Sequence, residues 1–188
     1  MRGLLDWLFQ NTHQSEVLQP NQARRPRSAR YYNAMAGNRD VEDLVRQFGI
    51  GRAIAWLRTV DPIQFEDMVL AAFASRGFRV KFNRHRGPDG GVDGRVYIGD
   101  QTFLMQAKRY SSTIRPRDMQ RLCRMCESSG CSGLFVHTGR TGRKSYSHLG
   151  RCRTDVTMIS GDRLIDLLTG RPLILPRGRG IVPGAAAA

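Results

Sequence analysis

Lysine is scarce in this 188-residue chain, because 27 of its 30 basic residues are arginine and only Lys81, Lys108 and Lys144 are lysines. An excess of arginine is also what a GC-rich genome produces, so the three lysines are the basic residues that most need an explanation. Long apolar runs are lacking too, and none approaches the roughly 20 residues of a membrane-spanning helix. The first residues, MRGLLDWLFQ, lack the long apolar core and the cleavage site of a secretory signal. We therefore expect a cytoplasmic protein without a membrane segment.

Cysteine is limited to Cys123, Cys126, Cys131 and Cys152. Nothing else in the sequence points to secretion, which argues against a set of disulfides. The first two cysteines lie three residues apart in a helical pattern and would share one face. Together with the other two, or with a histidine, they would offer ligands to zinc. Free thiols that are buried or half-buried are the favoured interpretation.

Acidic residues are in the minority, since 16 Asp and Glu against 30 Lys and Arg give a net charge of +14. A field of this sign attracts polyanions and speeds their association. Nucleic acid is the partner that the charge favours, and an anionic membrane surface is the weaker alternative. The hydrophobic fraction of 40% excludes a chain that is disordered throughout. The length suffices for one domain with a core and some flanking sequence.

Residues 1–60 precede the part of the chain with the clearest core periodicity. Residues 1–12 have the apolar spacing of a short amphipathic helix, and residues 40–60 predict a short pair of helices. Residues 13–38, with the basic run ARRPRSARYY, show neither a helical nor a strand period. This composition predicts a flexible basic arm. The arm is either a solvated linker or a contact to a DNA backbone, with Tyr31 and Tyr32 available for stacking.

Residues 61–170 alternate between helical and strand patterns. Asp61 suits a helix N-cap, Pro62 the first helical position and Gly77 the end of the helix. Strand patterns follow in FRVKFNR, VDGRVYI and TFLMQAKRY. Helix, strand, helix, strand and helix then lead to Gly170, and the Pro- and Gly-rich residues 171–188 predict a flexible tail. This order predicts an α/β sandwich around a mixed sheet.

A polar cluster is expected where two of these strands meet. Because side chains alternate along a strand, Gln106 and Lys108 point to one face and Ala107 to the other. A lysine at the end of an apolar central strand is costly unless it has a partner. The preceding strand begins at Asp93, within GPDGGVDG. An acid, an amide and an ammonium on neighbouring strands, with apolar flanks, make a candidate functional site.

The spaced combination of FEDMV, GPDGGVDG and FLMQAKRY resembles the Mrr-like branch of the PD-(D/E)xK nucleases over roughly residues 61–170. The resemblance implies a restriction-endonuclease-like αβββαβ core with a central mixed sheet flanked by helices, plus extra C-terminal helix–strand–helix elements. We accordingly divide the chain into an N-terminal basic arm with short helices (1–60), an Mrr-like nuclease domain (61–170) and a flexible tail (171–188).

By position, the resemblance implies four catalytic residues: Asp93, Gln106, Lys108 and Glu66. Asp93 would be the metal-binding acid, joined by Glu66, the Gln106 amide oxygen and the Ala107 carbonyl. Most of the superfamily has Asp or Glu where this chain has Gln106, so its site loses one negative charge and should hold Mg²⁺ less tightly. Lys108 would orient or acidify the attacking water and offset charge on the phosphate. The implied cofactor is Mg²⁺, for which Mn²⁺ substitutes.

Each of these residues also has a purely structural interpretation. Glu66 is an acid near the start of a helix, where the helix dipole favours one. Asp93 and Lys108 would make an ion pair within the fold, and Gln106 a satisfied polar group of the core. Asp89, before Gly-Gly, fits ordinary turn chemistry better than a metal ligand.

Phosphate contacts are expected to hold the DNA. The candidates are the arginines nearest the motif in sequence, although a surface arginine is more often merely solvated: Arg84, Arg86, Arg109, Arg115 and Arg117. His85 and His137 are interpreted as phosphate contacts or surface residues rather than as catalysts.

The sequence thus predicts a Mg²⁺-dependent endodeoxyribonuclease acting on double-stranded DNA, with restriction of foreign or modified DNA as its role. The alternatives are a structure-specific nuclease, such as a junction resolvase, and a basic DNA-binding protein without turnover. Because cleavage of both strands needs two active sites, a homodimer is a further expectation.

Overall fold

The structure is a computed structural model that describes residues 16–18, 28–83, 91–174 and 179–181. Within these ranges, none of the helices combines the length and the apolar character of a membrane span.

Six helices lie within the described ranges, and local sequence explains where several of them begin and end. Ser28 caps the first helix by accepting a hydrogen bond from the Tyr31 N–H, at 3.2 Å. Asp61 caps the third helix through the N–H groups of Ile63 and Gln64, as expected for an N-cap acid. Gly130 ends the fourth helix in the left-handed conformation (φ 61°). The helices are α1 (Ala29–Phe48), α2 (Ile50–Leu57), α3 (Pro62–Ser75), α4 (Pro116–Ser129), α5 (Arg143–Gly150) and α6 (Asp162–Leu168).

The described strands form a central sheet of five strands and a small sheet of three. They are β1 (Glu16–Leu18), β2 (Arg79–Phe82), β3 (Gly94–Ile98), β4 (Gln101–Lys108), β5 (Ser132–His137), β6 (Val156–Ile159), β7 (Leu173–Ile174) and β8 (Arg179–Ile181). The central sheet has the order β2-β3-β4-β5-β6. Strands β2, β3 and β4 pair antiparallel, whereas β4, β5 and β6 pair parallel. The small sheet has the order β1-β8-β7.

Helices cover both faces of the central sheet. On one face, Phe103 and Met105 of β4 join a core with residues of α1, α2, α3 and α6. On the other face, Leu104 joins a second core with Leu122 and Cys126 of α4. The inner part of β4, from Phe103 to Ala107, is therefore buried on both sides, and a polar side chain there is enclosed by protein.

The predicted fold is confirmed. The described chain is an α/β protein with a mixed five-stranded sheet flanked by helices, in the predicted order helix, three strands, helix, strand, with helix, strand and helix after them. Strand β3 begins at Gly94, one residue later than predicted.

The prediction of an irregular arm over residues 13–38 is wrong for residues 29–38, which belong to α1. Tyr31, Ala34, Asn38 and Val41 are buried along one side of this helix, which packs on α3 and contributes to the first core. The Tyr31 ring is 4% exposed and is not available for stacking on a base. The helix predicted over residues 1–12 lies outside the described residues.

The prediction of a flexible tail over residues 171–188 is wrong for residues 173–174 and 179–181. Strand β7 pairs antiparallel with β8, and β8 pairs parallel with β1. Leu173 is buried in the first core. Residues near the two ends of the described chain therefore share one small sheet.

Candidate active site

Asp93 lies one residue before β3 and is bound to β4 by both its backbone and its side chain. Its N–H donates to the Met105 carbonyl at 2.8 Å. Its carboxylate Oδ2 accepts a hydrogen bond from the Ala107 N–H at 2.7 Å. The side chain of Asp93 is thus held against the peptide that joins Gln106 to Ala107.

Gln106 is 2% exposed, and its two amide atoms differ in their surroundings. Nε2 donates to the Gly91 carbonyl at 2.6 Å, which ties β4 to the segment just before Asp93. Oε1 is buried and has no hydrogen-bond partner among the described residues. A buried acceptor without a partner carries a desolvation cost of about 1–3 kcal/mol, so this oxygen is suited to a ligand.

Ala107 and Lys108 complete the end of β4. Within a strand, the N–H and C=O of one residue point to the same neighbouring strand. The Ala107 carbonyl therefore faces the same side as its N–H, which is the side of Asp93. Lys108 is half-buried and pairs with His137 of β5. By strand alternation, its side chain leaves the same face as that of Gln106.

Glu66 lies on α3, in the layer that covers the opposite face of the sheet. It is half-buried, one turn before Leu70. A Cβ on Gly94 would lie only 2.6 Å from Cδ1 of Leu70, so α3 packs directly on the residue that follows Asp93. Glu66 is also close enough to Arg30 of α1 to help raise the pKa of that guanidinium. The structure thus places Glu66 beside the start of β3, on a different element from the other candidates.

The donor set at the start of β3 and the end of β4 fits a hard divalent cation. Mg²⁺ prefers carboxylate and carbonyl oxygens, and the unpartnered Gln106 Oε1 is a neutral oxygen of this kind. No cluster of three or more His, Cys, Asp or Glu side chains suited to a metal occurs among the described residues, either at this site or away from it. The fit therefore depends on amide and backbone oxygens as well as on carboxylates.

Asn83 and Arg30 form a supporting network that the sequence did not reveal. Asn83 follows β2 and donates from its backbone N–H to the Asp93 carbonyl, at 3.3 Å, and from Nδ2 to the Val92 carbonyl, at 2.7 Å. Arg30 donates to the Asn83 carbonyl at 2.9 Å and forms an ion pair with the buried Asp67 at 2.5 Å. The partners lie 37 and 53 residues from Arg30 in the chain, so neither spacing nor periodicity indicates the contacts.

The arginines predicted to contact DNA differ in their placement. Arg115 and Arg117 are exposed at the start of α4. Arg109 is half-buried, and its Nη1 donates to the Arg58 carbonyl at 2.8 Å. This hydrogen bond within the fold gives the side chain a structural role. Arg84 and Arg86 lie outside the described residues, as do Asp89 and His85.

Arg121 is a candidate that the sequence analysis missed. It is exposed on α4, and a Cβ on Gly91 would lie 3.9 Å from its Cζ. Its guanidinium is therefore close to the segment bound by Gln106. With Arg117 and Arg124 it forms a row of exposed arginines on one side of α4. Their spacing of four and three residues is helical and could have been recognised in the sequence.

His137 is neither exposed nor suited to a phosphate contact, contrary to the expectation from the sequence. It is 0% exposed, and burial lowers its pKa to about 4. The ring is therefore neutral near pH 7. Its Nε2 lies 3.3 Å from the Thr141 hydroxyl, and the ring packs near Phe135 and Tyr110.

None of the four cysteines, all of which lie within the described ranges, takes part in a disulfide. Cys123 and Cys126 are buried in the second core, and Cys131 and Cys152 are half-buried beside it. Burial raises the pKa of Cys126 to about 12, so its thiol is protonated at neutral pH.

The mixed sheet, its two helical layers and the acid, amide and lysine on adjoining strands define an α/β domain of the restriction endonuclease class. A sequence model of the Mrr_cat restriction endonuclease family matches residues 57–168. The chain belongs to this family.

Among solved structures, the chain is similar to MspJI restriction endonuclease in complex with a 27-mer oligonucleotide. The two are 24% identical with a TM-score of 0.40, and the alignment covers 76% of this chain and 32% of that chain. The chain thus spans about a third of the length of the MspJI chain. No curated protein matches the sequence.

Proposed function

We propose that the chain is a Mg²⁺-dependent endonuclease that hydrolyses phosphodiester bonds of double-stranded DNA. The observation that carries the proposal is the contact of the Asp93 carboxylate with the Ala107 N–H, beside a buried Gln106 whose Oε1 has no partner among the described residues. Membership of a restriction endonuclease family supports the reaction class.

In this proposal the cation would be held by Asp93, Glu66, the Gln106 Oε1 and the Ala107 carbonyl. Bound Mg²⁺ would polarise the scissile phosphate and lower the pKa of a coordinated water. Asp93 keeps its orientation because the Ala107 N–H holds one carboxylate oxygen. Gln106 keeps Oε1 directed away from Gly91 because Nε2 is held by the Gly91 carbonyl.

Lys108 supplies the positive charge of the site. An ammonium at this position donates hydrogen bonds to the attacking water and to a phosphate oxygen on which negative charge develops. Its half-buried position reduces competition from bulk water. Lys108 therefore acts on the reacting phosphate rather than on DNA in general.

DNA binding is assigned to exposed arginines beside the site and to the overall charge of +14. Phosphate contacts give affinity without sequence specificity. Four exposed arginines, at the N-cap of α4 and along it, make up the described part of this surface: Arg115, Arg117, Arg121 and Arg124. Restriction of foreign or modified DNA is the biological role that we propose, with double-strand cleavage by a homodimer.

The decisive experiment incubates the purified full chain with supercoiled plasmid in Mg²⁺, Mn²⁺ or EDTA. We expect nicking or linearisation with either metal and none in EDTA. Asp93→Ala and Lys108→Ala should each lower the rate by about 100-fold or more. Asp100→Ala and Lys81→Ala are matched controls, because both side chains are exposed outside the site, and they should cleave as the wild type does.

The same assay separates the alternatives. Methylated plasmid, unmethylated plasmid and a four-way junction are compared at equal concentrations of protein. If the junction is cleaved faster than either plasmid, the protein is a structure-specific nuclease and not a restriction enzyme. If the protein binds DNA but cleaves none of the substrates in either metal, it is a DNA-binding protein without nuclease activity.

A further inference from the structure

The peptide groups on both sides of Asp93 are held by one residue, Asn83. The Val92 carbonyl, in the peptide before Asp93, accepts a hydrogen bond from Asn83 Nδ2 at 2.7 Å. The Asp93 carbonyl, in the peptide after it, accepts one from the Asn83 N–H at 3.3 Å. Because both peptide planes are held, the direction of the Cα–Cβ bond of Asp93 is set, and the Ala107 N–H then orients the carboxylate.

This support is needed because Asp93 lies outside the regular ladder of β3, which begins at Gly94. On the side of β4, the Asp93 N–H donates to the Met105 carbonyl, and the Asp93 carboxylate accepts from the Ala107 N–H. On the side of β2, Asn83 provides the two bonds just described. Without the side chain of Asn83, the Val92 carbonyl would lose the Nδ2 donor described above.

Arg30 of α1 holds Asn83 in turn. Its Nη1 donates to the Asn83 carbonyl at 2.9 Å. Its Nε donates to Oδ2 of Asp67 at 2.5 Å, and its Nη2 lies 2.5 Å from Oδ1 in an ion pair. Its guanidinium stacks over the Phe82 ring at 5.2 Å from the centroid. Asp67 is 7% exposed, so its carboxylate is a buried anchor for the half-buried Arg30 side chain.

We propose that Asn83 and Arg30 are positioning residues for Asp93, and that α1 is thereby a functional part of the nuclease. This inference rests on the proposed function, in which Asp93 binds the cation. Arg30 lies outside residues 57–168, which match the restriction endonuclease family. The route runs from Asp67 through Arg30 and Asn83 to the Asp93 backbone.

The test uses the full chain with three substitutions: Asn83→Ala, Arg30→Lys and Arg46→Ala. Asn83→Ala removes the Nδ2 donor and keeps the backbone N–H. Arg30→Lys keeps the charge beside Asp67, but one ammonium cannot reproduce the fork that reaches both Asp67 and Asn83. Arg46 is the control, since it is an exposed arginine on the same helix whose ion pairs with Glu42 and Asp43 lie at the surface.

Steady-state cleavage of plasmid DNA should separate positioning from binding. We expect Asn83→Ala and Arg30→Lys to lower kcat by about 10- to 100-fold, as loss of groups that orient metal ligands does. The KM for DNA should change by less than about twofold, because neither residue belongs to the proposed DNA-binding surface. Arg46→Ala should match the wild type. Unchanged kcat in both variants would overturn the inference.

A second readout does not depend on activity. The Ala107 amide donates to the Asp93 carboxylate, so its NMR chemical shift and hydrogen exchange report on that contact. We expect both to change in Asn83→Ala and Arg30→Lys, and not in Arg46→Ala. If the wild type cleaves no DNA, the proposed function fails, and a changed Ala107 amide still supports the positioning role. An Ala107 amide that is the same in all four proteins contradicts it.

Discussion

Gln106 carries a donor and an acceptor, and the fold uses the donor. Its Nε2 is bound to the Gly91 carbonyl, whereas its Oε1 has no partner among the described residues. Glutamate at this position would bring more negative charge to a cation, but it would also place an oxygen against the Gly91 carbonyl. The amide side chain can thus bind the segment before Asp93 through Nε2 and leave Oε1 available to a cation.

Substitution of Gln106 by Glu tests this dual use. In EDTA we expect Gln106→Glu to lower the free energy of unfolding by about 1–3 kcal/mol, because a buried hydrogen bond is replaced by two facing acceptors. Added Mg²⁺ should then raise the Tm of this variant more than that of the wild type, since the site gains a negative charge. Thermal unfolding in EDTA and in Mg²⁺ measures both effects.

Gln101→Glu is the matched control, because Gln101 is exposed at the start of the same strand. It should unfold as the wild type does in either solution. Equal stability of Gln106→Glu and the wild type in EDTA would show that the bond to Gly91 contributes nothing.

The sequence could predict that the side chains of the candidate site lie on adjoining strands, but it could not predict the residues that support them. Asp93, Gln106 and Lys108 stand in a recognisable spacing, and neighbouring strands bring such residues together. The Asn83–Arg30 network joins residues from α1 and the end of β2, so it depends on how helices pack on the sheet. His137 was misjudged because a histidine at a strand end gives no sign of how deeply the strand is buried.

At the level of elements, the position of β3 depends on the close approach of α3. Gly94 lets the strand lie against the helix: an added Cβ would be 2.6 Å from Leu70 Cδ1 and 2.7 Å from the Lys81 carbonyl oxygen. The second contact is with backbone, which cannot move aside as a side chain can. A larger residue at position 94 would therefore displace the strand end that carries Asp93.

Gly94→Ala should destabilise the fold by about 1–3 kcal/mol, the usual cost of overpacking. It should also lower the cleavage rate at temperatures where the variant is fully folded, because Asp93 is the preceding residue. Urea unfolding and plasmid cleavage measure the two effects. Gly51→Ala is the control: Gly51 lies in α2 with nothing within 4 Å of an added Cβ, and alanine there should be neutral or slightly stabilising. Equal behaviour of the two variants would contradict the packing argument.

Elements with strong apolar periods and clear caps were predicted well, whereas α1 was missed at its N-terminal half. Its buried positions are Tyr31, Ala34, Asn38 and Val41, a helical spacing made largely of small or polar residues. Gly37 adds to this, since an added Cβ would lie 2.9 Å from Sδ of Met68. Close packing on α3 therefore stabilises a helix that its hydrophobic pattern does not indicate.

At the scale of the whole molecule, the helical layers differ in the roles that we propose for them. The layer with α1 and α3 supports the backbone around Asp93 through Arg30, which binds Asn83. The layer with α4 presents a row of exposed arginines, Arg117, Arg121 and Arg124, near the segment bound by Gln106. Support and DNA contact are thus assigned to opposite faces of the sheet.

The salt dependence of DNA binding tests this division. We expect the logarithm of the association constant to fall linearly with the logarithm of the KCl concentration in EDTA, as phosphate contacts dictate. Arg121→Ala should reduce the slope by about 1. Arg46→Ala removes the same charge from the opposite layer and should leave the slope unchanged. Fluorescence anisotropy with a labelled duplex measures the slopes, and equal changes in both variants would contradict the assignment of the DNA surface to α4.

The pairing of β1 with β8 has a consequence for protein engineering. Glu16 lies opposite Arg179 and Leu18 opposite Ile181, so segments from near both termini run side by side. Proteins with neighbouring termini tolerate circular permutation. A linker from Ile181 to Glu16, with new ends opened at the exposed turn Gly99–Asp100, would keep both sheets in the same strand order. Because the opening lies between Asp93 and Ala107, these two residues would then lie near opposite ends of the permuted chain, and their contact would join those two ends.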